Sequence, residues 1–148
     1  MSKTCILCHI VFSTKMRKSK IPTLSKQKLY AYIAGILKKK KCFIHALNGM
    51  PDHIHILLDL NPTEPLSEIV RTIKQSSSSW INENRESFPW FNGWGKGYFA
   101  ASVSPNAKNA CKEYISNQEL HHGGKGFLNE LQYLIERIGL KWFEDEWN

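Results

Sequence analysis

The first 50 residues of this 148-residue chain contain no aspartate or glutamate, although they contain eleven lysine and arginine residues. The remainder contains nine basic and thirteen acidic residues, so a charge of +11 in the N-terminal third and −4 in the rest give the net charge of +7. A one-sided basic region suits a polyanionic partner, because each lysine beside a phosphate releases condensed counterions. Nucleic acid is the favoured partner. An anionic membrane surface is a weaker alternative, and a solvated face without a specific partner is the simplest one.

The sequence also lacks any apolar run of roughly 18 residues or more, so we expect no membrane-spanning helix. Its N-terminus has no long apolar stretch followed by a small-residue cleavage site, and we therefore expect no signal peptide. A cytoplasmic protein is predicted, associated with the nucleoid when it is bound to DNA. No internal repeat is present, and the 148 residues fit a single domain, 1–148. With 42% apolar residues and a mean hydropathy of -0.38, the composition is typical of a globular chain with a substantial core.

Only four cysteines are present. Residues 5–9 match the C-x-x-C-H pattern of covalent haem attachment, which would require export. The same residues run directly into 10–12, a β-branched and aromatic sequence that is typical of a strand. A structural zinc site would need a second cysteine pair, whereas Cys42 and Cys111 are isolated from each other. We expect no haem and four reduced cysteines.

The spacing of apolar residues predicts an α+β domain. Strands are predicted at 4–14, 42–47, 53–60 and 97–103. Helices are predicted from a cap at Thr23 or Ser25 to about Leu37, from Pro62–Pro65 to about Ile81, from Ser104–Pro105 to about His121, and over 127–138. The first six elements follow the split β-α-β order of ferredoxin-like domains, which have one antiparallel sheet with helices on one face. The opposite face of the sheet is left available in this pattern. The C-terminal helices come after these six elements in the sequence.

Two histidines separated by one residue are the sharpest local feature. Residues i and i+2 of a strand point to the same face, so His53 and His55 can meet one metal ion. Ile54 and Ile56 then pack on the opposite side. From these residues alone, a polar pair on a half-exposed strand is the simpler interpretation.

A second pair lies on the predicted helix that begins near Pro105. Tyr114 and Gln118 are four residues apart, which places a phenol and a carboxamide on one helical face. With two imidazoles, the oxygen of Gln118 would suit magnesium or manganese better than structural zinc. The competing interpretation is that Tyr114 is an ordinary core residue on an apolar stripe.

Several sequence motifs together resemble a known family. Residues 53–55 are similar to the histidine–hydrophobic–histidine signature of the HUH endonuclease superfamily, and the whole chain resembles the single-tyrosine transposases of small bacterial insertion sequences, often called TnpA. The matching segments are 9–15, 49–55, 73–74, 97–98 with 102–104, and 114–118 with His121 and His122. The resemblance departs at Trp94, because Gly95 follows it where family members often have glutamine.

The resemblance implies an enzyme that acts on single-stranded DNA carrying hairpins at the element ends. It implies that Tyr114 is the nucleophile and forms a 5′-phosphotyrosine link. His53, His55 and Gln118 would bind a divalent cation, Mg²⁺ or Mn²⁺, and a homodimer is expected. His121 and His122 are left outside this metal set. The alternatives are a domesticated nuclease that processes chromosomal palindromes and a catalytically silent relative that only binds hairpin DNA.

Basic side chains are predicted to contact the DNA backbone as a group. They are Lys15, Arg17, Lys18, Lys20, Lys38, Lys39, Lys40, Lys41, Lys108 and Lys112.

Overall fold

A computed structural model describes residues 2–118 and 126–147. The strands are β1 (Leu7–Ser13), β2 (Phe43–Met50), β3 (His53–Asp59) and β4 (Phe99–Val103). The helices are α1 (Lys26–Lys39), α2 (Leu66–Glu83), α3 (Lys108–Ser116) and α4 (Phe127–Arg137). Short 3₁₀ turns lie at Lys15–Arg17, Pro105–Ala107 and Glu144–Trp147. None of the helices in these described ranges has the length and apolar content needed to span a membrane.

The four strands form one antiparallel sheet in the order β2-β3-β1-β4. This is the strand order of the ferredoxin-like split β-α-β unit, which confirms the predicted α+β fold. The first strand is shorter than predicted and starts at Leu7, whereas β2 extends to Met50. The turn between β2 and β3 therefore contains only Pro51 and Asp52, and His53 is the first residue of β3.

Alternation along the central strands divides the core into two layers. Ile10 of β1 and Ile56 of β3 point towards α1 and α2, where they pack with Leu29 and Ile73. On the opposite face, Val11 packs against apolar residues of α4. The face that the ferredoxin-like pattern leaves available is thus covered by α3 and α4, and His53 and His55 lie on it.

The four cysteines are free thiols, and Cys8 and Cys42 belong to the same buried core layer. Cys5 is exposed ahead of β1, whereas Cys8 points into the core beneath α1 and α2. Burial raises the pKa of the Cys111 thiol to about 11, so this group stays protonated at neutral pH. His9, the histidine of the C-x-x-C-H match, points to the opposite face of the sheet from Cys8.

Residues 88–98 cross the end of the sheet, and hydrogen bonds to side chains of α2 hold this segment in place. Lys74 donates hydrogen bonds to the carbonyl oxygens of Gly95 and Gly97, both at 2.9 Å. Ser77 accepts a hydrogen bond from the indole of Trp94 at 2.9 Å. Most of the aromatic side chains here are core residues, because Phe88, Phe91 and Trp94 pack into the α1–α2 layer, whereas Trp90 is 66% exposed.

Gly49 allows the β2–β3 hairpin to close. It pairs with Ile54, and a Cβ atom at Gly49 would lie 2.2 Å from the carbonyl oxygen of His53. We expect Gly49→Ala to lower the free energy of unfolding by about 2–3 kcal/mol, because the backbone that carries His53 would have to move. Urea denaturation followed by circular dichroism measures the change.

Gly35→Ala is the matched control, since a Cβ atom at Gly35 in α1 has no atom within 4 Å. This substitution should stabilise the helix by about 0.5–1 kcal/mol. Equal stability of the two variants would contradict the close approach at Gly49.

Candidate active site

The two histidines of β3 lie on the sheet face beneath α3 and α4, as the strand alternation predicts. Both side chains are fully buried in the described structure, with 0% exposure. The ring of Phe127, the first residue of α4, stacks on His53 with a centroid distance of 4.3 Å. The histidines are therefore not polar residues on a half-exposed strand, and their burial requires partners for the ring nitrogens.

Asp52 orients the ring of His53. The Nδ1 atom of His53 lies 2.7 Å from Oδ1 of Asp52. Burial alone would lower the pKa of His53, but hydrogen bonds to Asp52 and Glu130 outweigh burial and raise it. Because the carboxylate accepts a hydrogen bond from the Nδ1–H group, the Nε2 atom is directed at the centre of the site. A carboxylate that fixes the far nitrogen of an imidazole is a common support for a histidine metal ligand.

His9 of β1 has the same relation to His55. Its Nε2 atom lies 2.8 Å from Nδ1 of His55, and the two rings stack with a centroid distance of 5.1 Å. Burial and the neighbouring His55 lower the pKa of His9 to about 3, so His9 is neutral and can accept a hydrogen bond. If His55 donates from Nδ1, its Nε2 lone pair is left facing the site. The sequence motif contained His9, but only the strand register brings it beside His55.

Tyr114 reaches the same point from α3. Asn48 of β2 donates hydrogen bonds to the carbonyl oxygens of Ile115 and Ser116 at 2.9 and 3.3 Å, which anchors the last turn of α3. The Tyr114 ring makes an edge contact with His55 at a centroid distance of 5.8 Å, and its hydroxyl donates to Oε2 of Glu130. Burial, followed by the Glu130 carboxylate, raises the pKa of Tyr114 above its ordinary value.

Gln118 joins the cluster, but not on the predicted continuous helix. That prediction was wrong at Asn117, where the backbone leaves the helical conformation (φ −102°, ψ 28°) and α3 ends. Gln118 is nevertheless fully buried, and its Oε1 atom lies 3.2 Å from Nε2 of His53. The other predicted candidates of this segment, His121 and His122, lie outside the described residues.

Glu130 was not predicted as a site residue. Its Oε1 atom lies 3.1 Å from Nε2 of His55 and 3.3 Å from Nε2 of His53. Ligand atoms of these three residues all lie within 4.8 Å of one another. In the sequence, Glu130 is recognisable only as a carboxylate next to Leu131, beside the apolar stripe of α4. Its distance to β3 depends on how that helix packs.

The donor set fits a divalent cation. Atoms bound about 2.1 Å from one ion in octahedral geometry are about 3 Å apart, which matches the spacing of the two histidine nitrogens from their oxygen neighbours. His53 and His55 could bind the ion through Nε2, Gln118 through Oε1, and Glu130 offers a carboxylate oxygen. A mixed imidazole and oxygen set suits magnesium or manganese as well as zinc.

The basic residues predicted to bind DNA occupy three separate places. Lys15, Arg17, Lys18 and Lys20 follow β1 and lie at the His53 end of the sheet. Lys38, Lys39, Lys40 and Lys41 end α1 at the opposite end, which the seven residues of β1 place about 20 Å away. Lys108 and Lys112 lie on α3. The first group is adjacent to the site, where Lys20 lies 3.7 Å from Asp52.

Comparisons with known proteins identify the family. The profile of the family described as "Transposase IS200 like" matches residues 2–118. The chain belongs to this family. It is also 27% identical over 122 residues to the ISDra2 transposase TnpA of Deinococcus radiodurans, covering 74% of this chain and 81% of that protein. The chain is therefore a transposase of the IS200 type, and the family is one of DNA-processing enzymes.

Two solved structures share the fold of this transposase. One is a candidate transposase from Deinococcus radiodurans R1, with a TM-score of 0.61 and 24% identity over 79% of this chain and 93% of that chain. The other is a REP-associated tyrosine transposase bound to a REP hairpin, with a TM-score of 0.64 and 18% identity over 83% of this chain and 75% of that chain.

Proposed function

We propose that this chain is a single-domain transposase, 1–148, that cuts and rejoins single-stranded DNA through Tyr114. The observation that carries the proposal is the convergence of four side chains, two from β3, one from α3 and one that follows α3. The Tyr114 hydroxyl, two imidazoles of β3 and the Gln118 amide all contact Glu130 or one another. Such a set combines a nucleophile with a group of metal ligands, whereas a module that only binds DNA requires neither.

The proposed reaction is a transesterification at a DNA phosphate. The phenol oxygen of Tyr114 attacks phosphorus and loses its proton, the new oxygen–phosphorus bond forms, and the bond to the 3′-oxygen breaks. The leaving 3′-oxygen takes up a proton, and Tyr114 is joined to the 5′-phosphate. A second 3′-hydroxyl can attack this link and release Tyr114, so strands are rejoined without ATP.

The metal ligands of this proposal are His53, His55 and Gln118. A divalent ion bound there, Mg²⁺ or Mn²⁺, would neutralise charge on the scissile phosphate and favour the phenolate. Asp52 and His9 keep the two imidazoles oriented, and Phe127 shields His53 from water. Burial and the Glu130 carboxylate raise the pKa of Tyr114, and a divalent ion beside the hydroxyl would act in the opposite direction.

Single-stranded DNA is proposed to approach from the end of the sheet where β1 finishes. A groove of about 750 Å³ lies beside Asp52, and its lining includes Lys20, Leu24, Trp90 and Phe127. An exposed tryptophan beside a lysine suits an unpaired base and its phosphate. The lysines at the far end of α1 would then contact DNA only if the bound hairpin extends along the molecule.

A homodimer is part of the proposal. Tyr114 contacts the histidines of its own chain, which supports an active site that a single subunit can complete. In a dimer, exchange of α3 between subunits would give the same set of contacts. Analytical ultracentrifugation at micromolar concentration measures the assembly directly.

The test uses single-stranded oligonucleotides from both strands of the DNA flanking the coding sequence, each labelled at its 3′ end. After incubation with Mg²⁺ or Mn²⁺, we expect a labelled protein–DNA adduct that survives denaturing electrophoresis and is absent in EDTA. A 5′ label should instead appear on a shortened free strand, because Tyr114 retains the 5′-phosphate.

The set of oligonucleotides also contains chromosomal palindromes, on which a palindrome-processing nuclease would form the same adduct. Binding of a strand without any adduct would instead support the non-catalytic hairpin-binding relative.

A further inference from the structure

The two oxygens of the Glu130 carboxylate have different neighbours. Oε1 faces the imidazoles, 3.1 Å from Nε2 of His55 and 3.3 Å from Nε2 of His53. Oε2 accepts hydrogen bonds from the Tyr114 hydroxyl and from the Gln118 amide nitrogen, the latter at 3.3 Å. Glu130 thus contacts both the proposed metal ligands and the proposed nucleophile through its carboxylate oxygens.

The packing of α4 fixes this carboxylate in place. Phe127, Leu131 and Leu134 are buried against β1 and β4, and the Glu130 side chain is 9% exposed. A carboxylate on a packed helix retains its position better than one on a loop, because the neighbouring core residues determine its direction. Burial of an ionised carboxylate is costly unless positive charge or several donors surround it.

The orientation of the two imidazoles adds a second requirement. Asp52 and His9 contact the Nδ1 atoms of His53 and His55, so both Nε2 atoms face the oxygen of Glu130. Two imidazole lone pairs and a carboxylate oxygen repel one another unless a cation or shared protons lie between them. A divalent ion satisfies all three atoms at once.

We propose that Glu130 is a fourth protein ligand of the divalent cation through Oε1, and that Oε2 positions the Tyr114 hydroxyl beside it. The inference rests on the proposed function and deepens it, because a single side chain then links binding of the ion to placement of the nucleophile. Four protein ligands leave two positions on a six-coordinate ion for oxygens of the DNA phosphate. The added negative charge should strengthen binding of the ion beyond that of a site with two imidazoles and one amide.

The first experiment measures Mn²⁺ binding without DNA, by the loss of the free-ion signal in electron paramagnetic resonance. The full-length wild type, Glu130→Gln and His53→Ala are compared. Glu130→Gln should weaken Mn²⁺ binding roughly 10- to 100-fold, the range found when groups that support a metal site are removed. The control is Glu136→Gln, which removes the same charge from an exposed position of α4 and should change the dissociation constant less than twofold.

Folding is checked by the thermal midpoint in EDTA, where Glu130→Gln should resemble the wild type. Addition of Mn²⁺ should raise the midpoint of the wild type and raise that of the variant less, since a ligand stabilises the state to which it binds. If Glu130→Gln does not fold, Glu130→Asp provides the second variant. Its shorter side chain should weaken binding of the ion while the carboxylate is retained.

The outcomes separate this inference from the proposed function. Unchanged Mn²⁺ affinity in Glu130→Gln, together with lost affinity in His53→Ala, would overturn the fourth ligand and leave the metal site in place. If the wild type binds no Mn²⁺, both ideas fail.

The positioning role has its own readout, the rate of adduct formation at saturating Mn²⁺. A rate in Glu130→Gln that stays at least tenfold below the wild type supports it, whereas full recovery would limit Glu130 to metal binding.

Discussion

Tyr114→Phe is expected to abolish the covalent protein–DNA adduct while binding of the strand and of Mn²⁺ persists. The substitution removes only the hydroxyl oxygen, which is the atom that forms the bond to phosphorus. The ring keeps its edge contacts with His9 and His55, so the packing of α3 on the sheet is retained. Because Glu130 loses one of its donors, the free energy of unfolding should change by only about 1 kcal/mol. The measurement is denaturing electrophoresis of 3′-labelled strands.

The matched control is Tyr133→Phe on α4, where the side chain is 59% exposed. It should form the adduct at the wild-type rate. An adduct of wild-type yield in Tyr114→Phe would show that another residue is the nucleophile. Mass spectrometry of the nuclease-digested adduct would then identify that residue.

His55→Ala is expected to reduce the rate of adduct formation about a thousand-fold. The substitution removes a ligand nitrogen and also leaves His9 without its hydrogen-bond partner. A metal ion contributes several kcal/mol to stabilising charge in a phosphoryl transition state, and each 1.36 kcal/mol corresponds to a tenfold change in rate. The rate is measured under single-turnover conditions with Mn²⁺ in excess, and the Mn²⁺ affinity should fall in the same variant.

His45→Ala provides the control, because His45 lies at the irregularity between Ile44 and Ala46 of β2, where its ring contacts Phe43 at a centroid distance of 4.9 Å. Its adduct rate should stay within twofold of the wild type. A His55→Ala enzyme that retains the wild-type rate and still requires Mn²⁺ would place the ion elsewhere in the protein.

Alternation on β3 correctly placed His53 and His55 on one face, because the two-residue period of a strand is local and independent of its partners. Helical spacing predicted that Tyr114 and Gln118 lie at the same site. They do, although α3 ends between them at Asn117. The i, i+4 spacing therefore predicted correctly that the two side chains lie together, but the backbone conformation at Asn117 differs from the predicted helix.

The contacts of Glu130 and His9 could not be predicted from local sequence patterns. Glu130 is sixteen residues from Tyr114, and His9 is forty-six residues from His55. Neither separation has a local period, so no pattern along the chain relates the members of either pair. Their contacts depend on the register of β1 with β3 and on the position of α4 across the sheet.

The sequence alone determined the order of the elements, the family resemblance, the basic N-terminal region and the shared face of the two histidines, since these depend on composition and on short-range geometry. The tertiary structure decided that α3 and α4 cover that face, that the basic residues lie at opposite ends of the sheet, and that Glu130 joins the tyrosine to the histidines. These features depend on long-range packing, because each brings together side chains that are far apart in the sequence. Burial of apolar surface drives that packing.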